Sequence, residues 1–334
     1  MSEQLATIPN MNADQMYRLR MIQLVSRVTE RAVRTWPLGE WALLRRVLPD
    51  GGSTNPDPRR FMPDKGSSLA LDDLGFTPEL DAIGEHFVSS TARFPVMSAA
   101  QNLVGAGQVQ SATFQEHRTD VAGAGSLCRA ALESSAKTIW LLADPSREVR
   151  RARSRGHTIR ERSYQERFIS LEEQILERRT GSEQASAYEN FVRHRDEYNE
   201  LQEAISSMPE DQIVKPPRSF EKTVEWSAKW VDENTPPHAS EQLPNGLTLG
   251  AMSFYSAGSS FVHGFKWMTD YIRNDEDTLK IIADGFAAAL IMTECAVALF
   301  EAQATHPARA SVRENYPKWL APTVMEWIPR YANG

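Results

Sequence analysis

Residues 121–143 read VAGAGSLCRAALESSAKTIWLLA, and they give the clearest indication of the fold class. Its apolar side chains recur at the three-to-four-residue period of a helix. Glycine, alanine and serine are frequent in it, and such small side chains let neighbouring helices approach closely, which suits the centre of a bundle. Asp144 and Pro145 end the helix. The sequence therefore predicts an all-α protein in which this helix is central.

The rest of the chain has the same helical period, and the alternation that is typical of strands is nearly absent. Asn12 with Gln15 predicts a capping box at the start of the first helix. The most apolar run, Gly285–Phe300, is shorter than the roughly 20 residues that a membrane-spanning helix needs, so we expect a core helix. Gly105 and Gly107 are candidate interruptions. The predicted helices cover residues 13–35, 39–47, 78–119, 121–143, 220–232, 249–271 and 278–304.

Turn-forming residues divide the chain into segments. Proline, glycine, asparagine and serine are dense in residues 49–68, which indicates a loop or linker. The predicted segments are a basic N-terminal helical arm (1–48), a Pro/Gly-rich linker (49–77), a helical-bundle body (78–306) with a hairpin insertion (147–206), and a C-terminal tail (307–334) that is expected to cover the core.

Residues 147–206 are dense in charge and carry two narrow apolar stripes. Between the stripes, Gly181 fits a helix C-cap, and Thr180 with Glu183 fits a capping box. Two stripes joined by a tight turn predict an antiparallel helical hairpin, which we expect to protrude from the body. The stripes consist of Tyr164, Phe168, Leu171 and Ile175 on the first arm and Tyr188, Phe191, Tyr198, Leu201 and Ile205 on the second.

The net charge of −7 excludes a chain that binds polyanions through its whole surface. Two local basic patches remain, residues 11–48 and 147–162, each with seven arginines. Cys128 and Cys295 lie in apolar runs and are expected to be buried free thiols in a reducing compartment, so we expect a cytoplasmic protein without membrane contact. Because no metal-ligand spacing or cofactor motif is present, we expect neither a metal nor a cofactor.

Arg129, Glu133 and Lys137 are the only charged residues in the central helix. Their spacing of four residues places them on one face. A buried isolated charge costs several kcal/mol, so these side chains must be paired, hydrated or turned towards the surface. An amphipathic helix with one polar edge and an Arg129–Glu133 pair explains this spacing as well as a functional site does.

The predicted helix 249–271 offers a matching polar face. If it packs against the central helix, the polar residues of both converge in one pocket, the usual setting of a binding site. The alternative is that His263 is only a satisfied core residue. Glu294 is expected to form a third wall of the pocket or to pair with Arg129. The candidate catalytic residues are Arg129, Glu133, Tyr255, Ser256 and His263.

Two segments, LCRAALESSAKTIWLLADP (127–145) and YSAGSSFVHG (255–264), resemble actinobacterial all-helical proteins of unknown function. The shared features are an Arg-x-x-x-Glu helix that ends in Trp-Leu-Leu and a later Ser-x-x-x-His-Gly helix. The resemblance covers roughly residues 120–300 and implies a fold rather than an activity. The matching positions are Arg129, Glu133, Trp140, Leu141, Leu142, Ser259, His263 and Gly264.

Arg150 and Arg151 precede His157 by the four to six intervening residues that separate the motif residues of HEPN-type ribonucleases, helical bundles of toxins and phage-defence proteins. This more distant resemblance implies an alternative catalytic pair, Arg151 and His157. The arginine would stabilise the charge of a phosphorane, and the histidine would move the proton of a ribose 2′-hydroxyl. A solvated basic helix end explains the same residues, and Gly156 is expected to interrupt the helix.

Two functions follow. In the first, which we favour here, the chain acts on RNA or a nucleotide, as toxin and phage-defence proteins do, through the polar pocket or the Arg151/His157 pair. In the second, it is a non-enzymatic interaction or scaffold protein. The hairpin 147–206 and the basic arm 11–48 then bind a protein partner. In both cases we expect a homo-oligomer.

Overall fold

A computed structural model describes residues 12–45, 62–76, 86–116, 118–179, 181, 184–207, 212–309 and 316–332. These residues form α-helices and four short 3-10 helices and contain no strand, which confirms an all-α bundle. The α-helices are α1 (Ala13–Arg34), α2 (Trp36–Arg45), α3 (Ser68–Asp73), α4 (Phe87–Gln115), α5 (Val121–Leu142), α6 (Arg147–Glu177), α7 (Gln184–Ser206), α8 (Phe220–Glu233), α9 (Thr248–His263), α10 (Asp275–Ala304) and α11 (Ala321–Tyr331).

Helix α5 packs against α4, α8, α9 and α10, so the stretch rich in small residues is central. Helix α10 also contacts α1, α4 and α11. It is long and apolar enough to cross a membrane, but 83% of its most apolar window is buried inside the bundle. Cys128 and Cys295 are both buried and free, as predicted, and burial raises the pKa of each thiol.

Helix α1 begins at the predicted capping box, in which Asn12 and Gln15 exchange two hydrogen bonds. Its first two turns, residues 13–20, are exposed. The rest of α1 packs against α4 and α10. Among the described residues of the predicted arm 1–48, α2 and the later part of α1 pack against the bundle, and the start of α1 is exposed.

Helix α4 continues through Gly105 and Gly107. A Cβ at Gly107 would lie 3.2 Å from the Ala32 carbonyl oxygen, so this glycine permits the close approach of α1. Its function is in packing, and the expected interruption of the helix does not occur.

The predicted linker 49–77 contains a packed helix. Helix α3 starts at the N-cap Ser67, and Leu69 and Asp72 are fully buried. Residues 49–61 and 77 lie outside the described part of the chain. With six residues, α3 is too short to show a periodic pattern, so its sequence does not indicate a helix.

The predicted tail also forms a helix. In α11, Trp327 is fully buried, and the Tyr331 hydroxyl donates to the carbonyl oxygen of Ala143. Pro322 is in the first turn, where a missing N–H costs nothing. The prediction was a tail that covers the core, and the structure adds that this segment is helical and packs against α10.

Helices α6 and α7 form an antiparallel pair. Arg162 of α6 donates to Gln202 near the end of α7, whereas Glu173 pairs with Arg195, nearer the start of α7. The predicted turn residues Thr180, Ser182 and Glu183 lie outside the described residues. The pair has a small core of its own, which consists of Ile169, Leu176, Phe191 and Tyr198.

Helix α6 is continuous through Gly156, where we expected an interruption. The Val214 amide donates to the Ala152 carbonyl oxygen at 3.0 Å, which brings the connector after α7 onto the helix. A Cβ at Gly156 would overlap the Val214 carbonyl oxygen, so only glycine leaves room for this contact.

Candidate functional site

The predicted pocket requires contact between α5 and α9, and the two helices do pack against each other. The Arg129 guanidinium donates to Glu133 Oε1 at 3.1 Å and to the Tyr255 hydroxyl at 3.2 Å. It also lies 4.6 Å from the Tyr255 ring centroid. A Cβ at Gly258 would lie 3.1 Å from Arg129 Cδ, so this glycine admits the arginine stem.

The other two predicted catalytic residues are elsewhere. Helix α9 ends at His263 because Gly264 adopts φ +65°, the left-handed conformation of a helix C-cap. His263 is exposed, and its ring contacts Phe265 at a centroid distance of 5.5 Å. Ser256 is exposed and lines a groove with Trp267. The structure thus unites Arg129, Glu133 and Tyr255 but not Ser256 or His263.

Glu294 is fully buried but is neither a pocket wall nor a partner of Arg129. Its carboxylate accepts two hydrogen bonds from Arg34, at 2.7 and 3.0 Å, and one from Trp319 at 2.8 Å. His238 Nε2 lies 3.4 Å away. Glu294 therefore connects α1 and the segment before α11 to the core, and an arginine of the first basic patch has a structural role.

The second basic patch, Arg147–Arg162, is not a solvated helix end. Arg150 is fully buried and forms a bidentate pair with the equally buried Asp72, with N–O distances of 2.6 and 2.7 Å. Its remaining donors reach Ser68 and the carbonyl oxygens of Asp144 and Pro145. The guanidinium thus joins α3 to the start of α6.

Arg151, the predicted catalytic arginine, donates to three main-chain carbonyl oxygens at the end of α3, those of Leu71, Asp72 and Leu74. It caps that helix, where a cation also complements the helix dipole. The other arginines of the patch also bind within the protein. Arg147 pairs with Asp72, and Arg153, Arg155, Arg160 and Arg162 donate respectively to Trp140 O, Gln212, Pro217 O and Gln202.

His157 does not face Arg151 but lines a cavity of about 110 Å³ between α5, α6 and α8. Only 7% of its side chain is exposed, and its Nδ1 atom has no hydrogen-bond partner. Burial, with the positive charges of Lys137 and Arg160, lowers the pKa of His157 to about 4. The imidazole is therefore neutral at pH 7. We call this cavity the His157 pocket; its walls also include Trp140, Glu161, Tyr164, Pro216, Phe220 and Thr223.

The first apolar stripe of α6, which we call the outer stripe, does not face α7. Its residues Tyr164, Phe168, Leu171 and Ile175 are 57%, 59%, 52% and 54% exposed. At about 100° per residue, the outer stripe lies roughly 130° around the helix from the buried residues that face α7. The side chains that the sequence analysis assigned to the hairpin interior are therefore on its outside.

Sequence reasoning missed most of the His157 pocket. The positions 157, 160, 161 and 164 share one face of α6, and this helical spacing was a detectable signal. The contribution of Lys137 from α5 was not detectable, because it requires the tertiary contact. No family model, curated protein or solved structure matches this chain, so the resemblances stay predictions.

Proposed function

We propose that this chain is a non-enzymatic interaction protein whose α6–α7 hairpin pairs with the hairpin of a second copy. The observation that carries the proposal is the outer stripe: four large apolar side chains, each more than half exposed, in an otherwise charged region. Contiguous exposed apolar patches are typical of protein-interaction surfaces. The 4-3-4 spacing of the stripe is that of a helix-pairing seam.

The charges beside the outer stripe favour a second copy as the partner. Arg160 and Arg167 flank one side of the stripe, and Glu161 and Glu172 flank the other, at 3.6 residues per turn. When two α6 helices pair in parallel through their outer stripes, the basic edge of each helix lies beside the acidic edge of the other. A two-fold symmetric pair repeats every such contact.

The catalytic alternative has less support from the geometry. An arginine that stabilises a reacting phosphate needs free donors, and those of Arg151 are directed to carbonyl oxygens of α3. The Arg129 guanidinium directs its Nε and Nη2 donors to Glu133 and Tyr255, its buried Nη1 has no hydrogen-bond partner, and the histidine that a catalytic pair needs, His263, lies apart from it. The arginines of the patch 147–162 thus contribute to stability, whereas the outer stripe has no such role.

The test is self-association measured by sedimentation equilibrium over a wide range of protein concentration. The wild type is expected to dimerise, and the variant Phe168→Glu/Leu171→Glu is expected to weaken dimerisation at least tenfold, about 1.4 kcal/mol. Phe94→Glu is the matched control, because Phe94 is also a large apolar side chain, 74% exposed, and belongs to α4 rather than to the hairpin. A monomeric wild type, or equal dimerisation of both variants, contradicts the proposal.

A further inference from the structure

The His157 pocket combines two cations with a polar atom that lacks a partner. Lys137 lies with its ammonium 4.9 Å from the centroid of the Phe220 ring and makes no hydrogen bond to a described residue. Arg160 donates to the Pro217 carbonyl oxygen at 2.6 Å. The opposing charge is Glu161, whose side chain is 58% exposed at the rim. The pocket therefore has an excess of positive charge.

The unpartnered Nδ1 atom of His157 costs the protein free energy. Leaving a buried polar atom without a hydrogen bond costs about 1–3 kcal/mol. The Glu161 carboxylate is 3.6 Å from this atom, which is beyond hydrogen-bond distance. A neutral imidazole can carry its proton on Nδ1 and donate it to an acceptor within the pocket. A ligand with an acceptor oxygen would thus satisfy the atom.

The size and walls of the pocket restrict the ligand. About 110 Å³ is well below the roughly 300–1,000 Å³ of sites for drug-sized molecules, so a whole nucleotide is too large. Two donor groups, the Lys137 ammonium and the His157 Nδ1–H, match the two oxygens of a carboxylate, whereas the Arg160 guanidinium is directed to the carbonyl oxygens of Pro217 and Arg218. Trp140, Tyr164 and Phe220 supply aromatic surface for an apolar stem.

We propose that the His157 pocket binds a small monocarboxylic acid with an aromatic or short aliphatic stem. Its carboxylate accepts hydrogen bonds from the Lys137 ammonium and the His157 Nδ1–H. Its stem packs against Trp140 and Phe220. The pocket shares Tyr164, Arg160 and Glu161 with the outer stripe and its edges, but the two groups that hold the carboxylate, Lys137 and His157, do not belong to that surface, so ligand binding and hairpin pairing are tested separately.

The experiment is titration of the full-length protein with phenylacetate and, as the uncharged isostere, phenylacetamide. Phenylacetate is expected to bind saturably with one site per chain and to shift the ¹⁵N resonance of His157 Nδ1, whereas phenylacetamide is expected to bind at least tenfold more weakly. Absence of saturable phenylacetate binding, or equal affinity for the two probes, overturns the proposal.

A variant pair locates the binding. Lys137→Met keeps the aliphatic stem but removes the charge, and it is expected to weaken phenylacetate binding at least tenfold. Lys229→Met is the control, because Lys229 is exposed on α8 and pairs with Glu225. Equal phenylacetate affinity of the two variants overturns the assignment. If Lys137→Met fails to fold, the wild-type ¹⁵N shift and the two probes decide the question.

Discussion

The two parts of helix α6 reverse the usual distribution of side chains. Between Arg147 and Arg162, all seven arginines are buried or half-buried among other helices, and only Glu148 and Glu161 are exposed among the charged residues. Between Tyr164 and Ile175, large apolar side chains face solvent. The difference lies in the neighbours, because the first part meets α3, α4 and α5, whereas the second part meets mainly α7. Burial of a side chain thus depends on what packs against it as well as on its polarity.

The largest effect is expected from Arg150→Met in the buried part. Asp72 then loses its bidentate partner, and removing one member of a buried ion pair costs about 3–5 kcal/mol. Urea unfolding measures the loss. The exposed Arg167 on the same helix is the control, and Arg167→Met is expected to change stability by less than about 0.5 kcal/mol. Equal unfolding midpoints of the two variants would show that the buried arginine adds nothing.

The pH dependence of the free energy of unfolding also tests the buried part of α6, residues 147–162. The pKa of His157 is about 4 in the folded protein and about 6.5 in the unfolded chain, so the folded state disfavours the protonated form. The contribution of the neutral imidazole to the free energy of unfolding is fully present above pH 6.5. About 3 kcal/mol of it is lost as the pH falls towards 4.

Urea unfolding at several pH values measures this loss. His157→Gln is expected to flatten the pH dependence relative to wild type. His194→Gln, at an exposed position of α7, is expected to leave it unchanged. If His157→Gln keeps the wild-type pH dependence of stability, the loss of stability at low pH does not come from His157.

The smallest effects compare two isoleucines of one helix. Ile169 is 7% exposed and faces α7, whereas Ile175 is 54% exposed on the outer stripe. Ile169→Ala is expected to destabilise the protein by about 2 kcal/mol, the lower end for a buried isoleucine, because the cluster around it is small. At protein concentrations where the chain is monomeric, Ile175→Ala is expected to stay within about 0.5 kcal/mol of wild type. Thermal or urea unfolding of both variants checks this. If Ile175→Ala destabilises the protein more than Ile169→Ala does, the buried face of α6 is the one that carries Ile175.

The helices were predictable where the pattern was long. The capping box at Asn12, the central helix α5 and the apolar helix α10 follow from local periodicity and capping. The six-residue helix α3 was not predictable, because it is too short to show a period and its stability comes from contacts with Arg150 and Arg151. The helix α11 was hidden by its prolines: Pro322 is in the first turn, which tolerates it, and Pro329 lies within the helix.

The candidate site was predictable only in part. The spacing of Arg129 and Glu133 indicated their pairing, and Tyr255 joins them because α5 and α9 pack together. His263 was misplaced because the left-handed Gly264 ends α9. The pairing of Glu294 with Arg34 spans most of the sequence, so no local pattern indicates it.

The all-helical class and most helix boundaries follow from local sequence patterns, because helical period and capping depend on residues a few positions apart. Which charged side chains are buried, and which apolar side chains face solvent, depends on the packing of the helices. The seven arginines 147–162 and the stripe Tyr164–Ile175 differ in what packs against them, and a local pattern does not contain that information. Burial depends on neighbours that are distant in the chain, and these exist only once the bundle has formed.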